Sequence, residues 1–165
     1  MRNDNGFSLI ELLIVVAIIL IVAALAIPNL IRARIAANES SAAASIRTIV
    51  SAEVAYTSAY PAAGYTDLPS LGGPNINCVP TPASACIIDS TLAAGSKSGY
   101  QFTAIGTNPV GTANTTYLID GWPLTLNSTG VRAFCATEDN VIRFTNPSAG
   151  APTRAACLTY IAIPN

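Results

Sequence analysis

The four cysteines of this 165-residue chain are the side chains best suited to covalent chemistry. They are Cys78, Cys86, Cys135 and Cys157, with spacings of 8, 49 and 22 residues. These spacings include no C-x-x-C pair, which argues against a zinc site and against a redox-active dithiol. Of the three possible pairings we favour Cys78 with Cys86 and Cys135 with Cys157, because each bond closes a loop in a chain with a small core. Disulfides form in oxidising compartments, so we expect this part of the chain outside the cytoplasm.

Histidine is absent from the sequence, which excludes Ser-His-Asp and Cys-His catalysis and removes the commonest zinc ligand. Eight Lys and Arg against nine Asp and Glu leave a formal charge of -1, so no excess of positive charge is available to bind a polyanion. Charged residues make up 10% of the chain and hydrophobic ones 51%, a balance that indicates contact with lipid or a protein neighbour. We therefore expect no catalytic residue, no metal or other cofactor, and no nucleic-acid binding.

Glu11 lies inside the stretch from Phe7 to Ile31, which is otherwise almost entirely apolar. A carboxylate in such a place can lie at the lipid headgroups or complement the positive end of a helix dipole. A third interpretation comes from Gly6, a small residue at the boundary between polar and apolar sequence. Cleavage after Gly6 would leave the α-amine of Phe7 about one helical turn from Glu11. That amine, or the amine of a neighbouring copy, would then neutralise the carboxylate.

The apolar stretch spans 25 residues, and at ~1.5 Å per residue a helix of this length crosses a ~30 Å hydrocarbon core. Three interpretations compete for it: a secretory signal that is removed, a plain transmembrane anchor, and a helix that leaves the membrane to pack against other helices. The Ala24–Ala26 triplet is an A-x-A site of the kind found at signal cleavage points. A disposable signal, however, has no need of the acid at Glu11.

Residues 6 to about 39, GFSLIELLIVVAIILIVAALAIPNLIRARIAANE, are similar to the N-terminus of type IV pilins and of the pseudopilins of type II secretion systems. The resemblance implies that residues 1–6 form a leader, which prepilin peptidase removes between Gly6 and Phe7. It implies that the same enzyme methylates the new amine of Phe7. It also implies that Glu11 helps to set the register of one subunit against another.

Pro28 matches the proline at which the pilin helix bends, and we expect the helix to kink there and continue, because no Gly or Pro occurs from Asn29 to Tyr60. Residues 7–31 would form a transmembrane or filament-core half, and residues 32–60 an amphipathic half. The spacing of apolar residues in the second half predicts a stripe that packs on a sheet, made of Ile35, Ala42, Ile46, Ile49, Val50, Val54 and Tyr60. The charged residues expected largely off that stripe are Arg34, Glu39, Arg47 and Glu53.

Residues 61–98 are rich in Pro, Gly, Ala, Ser and Thr, which predicts a connecting loop with short turns, constrained by the two cysteines inside it. Residues 99–165 contain strand-like runs separated by Gly, Asn, Asp and Pro. These runs are Tyr100–Ile105, Thr115–Ile119, Val131–Ala136, Val141–Thr145 and Cys157–Ile163. The predicted fold is α+β and pilin-like, with a long N-terminal helix packed on a small antiparallel sheet of about three to five strands and a disulfide region near the C-terminus.

Together with the resemblance, these features predict a structural subunit of a type IV pilus that has no enzymatic activity and polymerises through its N-terminal helix into a helical homopolymer. A pseudopilin of a type II secretion system, which serves protein export, is the alternative. A signal-cleaved secreted binding or enzymatic domain is a more distant one. The expected partners are other copies, other pilins or pseudopilins, the prepilin peptidase, the inner-membrane assembly machinery and, before assembly, the lipid bilayer.

The expected location is the bacterial inner membrane, with a single pass and the C-terminal domain outside the cytoplasm, followed by an extracellular pilus or a periplasmic pseudopilus. Arg32, Arg34 and Arg47 follow the apolar stretch, and the usual count of flanking positive charge favours the opposite orientation. The disulfides and the resemblance outweigh that count, because both place the C-terminal domain outside the cytoplasm.

Overall fold

A computed structural model of the chain describes residues 7–74, 76–146 and 150–164. The predicted leader, residues 1–6, and the cleavage residue Gly6 lie outside the described residues. The chain forms two compact units, Met1–Arg34 and Ile35–Asn165, and one helix contributes to both. That helix, α1, runs from Leu9 to Ala59.

The start of α1 is fixed by its own sequence. Ser8-Leu9-Ile10-Glu11 has the S-x-x-E spacing of a capping box, in which the acid three residues into the helix accepts a hydrogen bond from the backbone N–H of the cap residue. The structure shows this bond, from Ser8 N to Glu11 Oε2 at 3.0 Å. Pro28 lies inside α1 without ending it. The kink expected at Pro28 stays a prediction.

The sheet is antiparallel throughout, and its six strands lie in the same order in space as in sequence. The strands are β1 (Ser96–Lys97), β2 (Tyr100–Val110), β3 (Ala113–Pro123), β4 (Ala133–Thr137), β5 (Arg143–Thr145) and β6 (Ile161–Ala162). Ser98 and Gly99 turn β1 into β2 with positive φ at both positions, the geometry that matches the strand twist in a two-residue hairpin. Two-residue hairpins join β1 to β2 and β2 to β3, whereas the connection from β5 to β6 is longer and contains a short helix.

The core lies between one face of α1 and one face of the sheet. Residues three and four apart on α1 share that face, as the helical period requires. The buried α1 side chains include Ala42, Ile46, Ile49, Ala52 and Tyr56. Buried and more exposed side chains alternate in the first half of β2, whereas every residue of β4 is buried. The buried side chains of the strands include Tyr100, Phe102, Ala104, Tyr117, Ile119 and Phe134. The predicted α+β, pilin-like architecture, with a long N-terminal helix on a small antiparallel sheet, is confirmed.

Two acids of α1 are buried, although the sequence pattern predicted them on the exposed side of the helix. Glu39 and Glu53 were expected largely off the packed stripe, but they are 7% and 0% exposed. Val54 was expected on the stripe and is 47% exposed. The reason is that Ile49, Glu53 and Tyr56 follow the inward three- and four-residue spacing, whereas Val54 lies about 100° further round the helix.

The segment between α1 and the sheet contains two short helices, α2 (Leu68–Leu71) and α3 (Ser90–Ala93). Each begins at an aspartate whose side chain accepts a hydrogen bond from the first turn: Asp67 from Ser70 N at 3.0 Å, and Asp89 from Leu92 N at 2.9 Å. Leu68, Leu71 and Leu92 join the core. The predicted loop is thus a packed connection rather than an open one.

The five predicted strands correspond to β2–β6, with one difference at the C-terminal end. Residues 157–163 were expected to be a strand, but Cys157 ends a short helix, α4 (Arg154–Cys157), and β6 covers only Ile161–Ala162. Thr153 caps α4 by accepting a hydrogen bond from Ala156 N at 3.3 Å. β1 was not predicted, since a two-residue strand carries no periodicity.

Candidate functional site

The N-terminal part of α1 presents a continuous apolar surface. Every large hydrophobic side chain from Phe7 to Ile31 is at least 47% exposed. The helix is long and apolar enough to cross a membrane. A surface of this size and composition is stable only in lipid or against other apolar helices, so it is the chain's principal candidate interaction site.

Glu11 lies at the first turn of this surface and is exposed. Its one hydrogen bond within the described chain is the capping bond from Ser8 N. This contact agrees with the interpretation of Glu11 as an acid at the positive end of the helix. The Ser8-x-x-Glu11 spacing could have revealed the cap from sequence. The role of Glu11 in subunit register stays a prediction, and so does the methylation of Phe7, which is 78% exposed.

The arginines that follow the apolar surface are free to bind anions. Arg32, Arg34 and Arg47 are all exposed, and none of them forms an ion pair with any residue in the described ranges. An exposed guanidinium binds phosphate through two parallel hydrogen bonds. Phosphate groups are therefore chemically suitable partners for these arginines.

Glu39 attaches the second part of α1 to the sheet. Its Oε1 accepts hydrogen bonds from Val131 N at 2.9 Å and Arg132 N at 3.1 Å, and its Oε2 contacts Arg132 Nε at 3.0 Å. Arg132 also lies over the ring of Phe144, 5.3 Å from its centre. The carboxylate is thus buried with its charge compensated, which sequence periodicity had no means to reveal.

Two further carboxylates are buried, and only one oxygen of each accepts a hydrogen bond. Glu53 Oε2 accepts from Thr66 N at 3.1 Å, and Asp120 Oδ2 accepts from Thr103 Oγ1 at 3.1 Å. The second oxygen of each makes no hydrogen bond within the described chain. Burial raises the pKa of Glu53 to about 7, and burial likewise raises the pKa of Asp120 to about 7. Both acids therefore carry protons at mildly acidic pH.

The cysteines form the pairs that were favoured from sequence. Cys78 is bonded to Cys86, and Cys135 is bonded to Cys157, which confirms both pairs. The second bond joins β4 to the end of α4, where the side chains of Arg154 and Glu138 also pair. No group of three or more potential metal-binding side chains occurs within residues 7–74, 76–146 and 150–164.

Comparisons with known proteins agree with the N-terminal pattern. Residues 1–27 match the prokaryotic N-terminal methylation motif. Over 56 residues, which are 34% of this chain and 43% of the relative, the chain is 52% identical to the type IV wide pilus major component PilA4 of Thermus thermophilus. It is 44% identical over 56 residues, 34% of this chain and 26% of the relative, to the type IV major pilin protein PilA of Myxococcus xanthus.

These likenesses cover part of each molecule. The chain spans less than half the length of the curated relatives that it matches. No solved structure matches it significantly. The motif and the apolar helix fit membrane anchoring and pilus assembly. By this motif and these relatives, the N-terminal third of the chain is similar to that of type IV pilins.

Proposed function

We propose that this chain is a structural subunit of a type IV pilus, processed between Gly6 and Phe7 and polymerised through its N-terminal helix, with no catalytic activity of its own. The observation that carries the proposal is the exposure of every large hydrophobic side chain from Phe7 to Ile31. A helix that is apolar on nearly every face needs lipid or similar helices around it. A single chain supplies neither.

Two environments cover the apolar surface of α1, one before assembly and one after it. Before assembly, the helix spans the inner membrane, where hydrocarbon covers its side chains. After assembly, the same side chains pack against the helices of other copies. Identical subunits that repeat one head-to-tail contact without closing a ring form an open helical polymer. The proposed filament therefore has a core of N-terminal helices.

Glu11 is proposed to select the register of each new subunit. In the described chain its Oε2 is engaged by the backbone of Ser8. Cleavage before Phe7 would create a positive α-amine near the same end of the helix. A subunit whose amine meets Glu11 of an adjoining copy forms a charge pair in an apolar environment, whereas a misplaced subunit leaves both charges unpaired. The electrostatic cost of misplacement would then favour one register.

The comparisons support a pilus over a secretion pseudopilus, because both matched relatives are named as pilus subunits. The proposed partners are other copies of this chain, other pilins, the prepilin peptidase and the inner-membrane assembly machinery. The disulfides support a location of the C-terminal unit outside the cytoplasm, since such bonds persist in oxidising compartments. Arg32 and Arg34 would then contact lipid phosphates on that side of the membrane.

Mass spectrometry of the protein extracted from cells tests the processing. We expect a mature N-terminus at Phe7, with the added mass of a methyl group on its amine. A mature N-terminus at Ile27 would identify the apolar stretch as a removed signal and would overturn the proposal. Deletion of the gene then separates the two assembly alternatives. Loss of surface filaments on electron micrographs supports the pilus, whereas loss of exported proteins with filaments intact supports the pseudopilus.

A further inference from the structure

The two disulfides of this chain lie in different surroundings. Cys135 and Cys157 are both 0% exposed, one on β4 and the other at the end of α4. Cys78 and Cys86 are both partly exposed and lie outside the helices and strands. Thiol–disulfide exchange needs a thiolate to reach a sulfur atom. Reagents in solution therefore have access to the Cys78–Cys86 bond and not to the Cys135–Cys157 bond.

A small open pocket of about 190 Å³ lies directly beside the exposed bond, and Cys78, Cys86 and Gly73 line it. Gly73 keeps this space open, because a Cβ at that position would lie 2.2 Å from the sulfur of Cys78. Asp89 also lines the pocket, but its carboxylate pairs with Lys97 at 3.4 Å. Its repulsion of an incoming thiolate is therefore partly offset.

The residues on the C-terminal side of this bond are held by contacts that do not involve sulfur. Backbone hydrogen bonds attach them to α2 and to the residue after it, and a tyrosine of α1 holds the loop just before them. The bonds are Ala85 N to Ser70 O at 2.8 Å, Cys86 N to Gly72 O at 2.9 Å, Ile87 N to Leu71 O at 2.9 Å, and Tyr56 Oη to Pro82 O at 2.6 Å. Opening the disulfide leaves all of these contacts in place.

The residues on the N-terminal side are held mainly by the disulfide itself. No hydrogen bond to the described part of the chain holds residues 76–80. Ile76 and Val79 are 78% and 73% exposed, so this short segment is not packed into the core. Asn77 and Cys86 have φ angles of 52° and 60°, a left-handed conformation that residues with a Cβ adopt at a cost. Opening the bond would allow Asn77 to relax, whereas the backbone hydrogen bond from Cys86 N to Gly72 O keeps Cys86 in place.

We propose that the Cys78–Cys86 disulfide, whose spacing of 8 residues is not that of a catalytic dithiol, is a site at which an external dithiol exchanges, and that its opening frees residues 76–80 while the rest of the fold persists. One thiolate of the dithiol attacks one of the two sulfurs, the bond between them breaks, and a mixed disulfide forms. The second thiol of the reagent attacks the mixed disulfide and closes a ring. Two electrons pass from the dithiol to the protein, and two protons end on the thiols of Cys78 and Cys86.

Graded reduction of the full chain in detergent micelles tests this proposal. Dithiothreitol is the dithiol, alkylation traps the free thiols, and mass spectrometry assigns them. We expect Cys78 and Cys86 to be alkylated at about tenfold lower dithiothreitol than Cys135 and Cys157. NMR order parameters of the backbone N–H groups should then fall in residues 76–79, while hydrogen exchange in the strands stays unchanged. Reduction of both disulfides at the same concentration, or of Cys135–Cys157 first, would overturn the assignment.

Two double variants separate exchange from a structural role. The Cys78→Ser, Cys86→Ser variant should keep the circular dichroism spectrum and the strand protection of the parent chain. If its strands lose protection from exchange, the exposed bond is structural and the proposal is wrong. The matched Cys135→Ser, Cys157→Ser variant keeps the exposed bond, and in it Cys78 and Cys86 should respond to dithiothreitol as in the parent. If this variant does not fold, the graded reduction of the parent chain still decides.

Discussion

Glu39 and Arg132 contact each other twice, although 93 residues separate them in the sequence. One carboxylate oxygen of Glu39 accepts the backbone N–H of Arg132 at 3.1 Å, and the other lies 3.0 Å from its guanidinium Nε. The acid belongs to α1, and the arginine directly precedes β4. The pair therefore adds a polar link between the helix and the sheet, next to the buried apolar contacts of Ala42 and Ala133.

Glu39→Ala should lower the free energy of unfolding by about 2 to 4 kcal/mol, because it leaves two backbone N–H groups and a half-exposed guanidinium without their acceptor. Denaturant unfolding of the full chain in detergent measures the change. Arg47→Ala is the matched control, since it also removes a charge from α1 but has no ion-pair partner in the described chain, and it should stay within about 0.5 kcal/mol of the parent. Equal losses in the two variants would contradict the assigned role of Glu39.

Glu53 should make the domain less stable as the pH rises. Its pKa is raised from 4.5 to about 7 by burial, so between these pH values the folded state binds more protons than the unfolded state. The contribution of Glu53 to the free energy of unfolding is fully present below pH 4.5 and is lost as the pH passes 7. The free energy of unfolding should fall by up to about 3 kcal/mol over this range. Unfolding measured from pH 4.5 to 8 should show this fall, and Glu53→Gln should reduce it.

Asp120 should also make the domain less stable as the pH rises, because burial raises its pKa to about 7 as well. The free energy of unfolding of the parent chain should therefore fall with pH by the sum of the two contributions. In the double variant Glu53→Gln, Asp120→Asn, this free energy should change less with pH than in either single variant. Asp89→Asn is the control, since a hydrogen bond from Leu92 N lowers the pKa of Asp89 from 3.8. Its contribution to the free energy of unfolding is therefore almost fully present at the start of the measured pH range and stays nearly constant across it. If the free energy of unfolding of Glu53→Gln changes with pH as that of the parent does, Glu53 is charged over the whole measured pH range.

Glu11 has two possible roles, and two substitutions separate them. Glu11→Gln keeps an oxygen that can accept the Ser8 N–H bond, as glutamine does in a capping box, but it removes the charge. Glu11→Ala removes both. If the charge selects register, both variants should insert into the membrane, and filaments should be absent or sparse in both when counted on micrographs. Normal filament numbers with Glu11→Gln and few with Glu11→Ala would assign Glu11 to helix capping alone.

Gly6→Leu should block processing, because a bulky side chain replaces hydrogen at the proposed cleavage position. The longer precursor should accumulate in the membrane fraction, where its size on a gel and its intact mass identify it. Asn5→Ala serves as the control and should be processed as the parent is. Normal processing of Gly6→Leu would place the cleavage site elsewhere.

Gly64 should tolerate substitution less well than Gly111, although both have positive φ, at 70° and 66°. A Cβ at Gly64 would lie 2.1 Å from the carbonyl oxygen of Asn114, whereas a Cβ at Gly111 meets nothing within 4 Å. Gly111→Ala reports the left-handed backbone cost alone, about 1 to 2 kcal/mol. Gly64→Ala should cost more, because the close backbone contact between residues 63–65 and β3 must also shift. Similar unfolding free energies for the two variants would contradict this contact.

The strand runs and the cysteine pairs could be inferred from sequence because both depend on neighbours along the chain. Alternating apolar residues predict a strand, and nearby cysteines favour local loops. The acids could not be placed in this way. Glu39 and Glu53 look like solvent-facing residues of an amphipathic helix, but their partners Arg132 and Thr66 come from other elements. Only folding brings those donors to the helix.

The sequence alone determined that the N-terminal segment needs an apolar environment. An almost entirely apolar stretch with one acid avoids water whatever conformation it adopts. The sequence also determined the helical cap at Ser8, because the groups that form it are three residues apart. The tertiary structure decided which acids are buried and which disulfide is exposed. These properties depend on contacts between residues far apart in the chain, whose geometry no local pattern encodes.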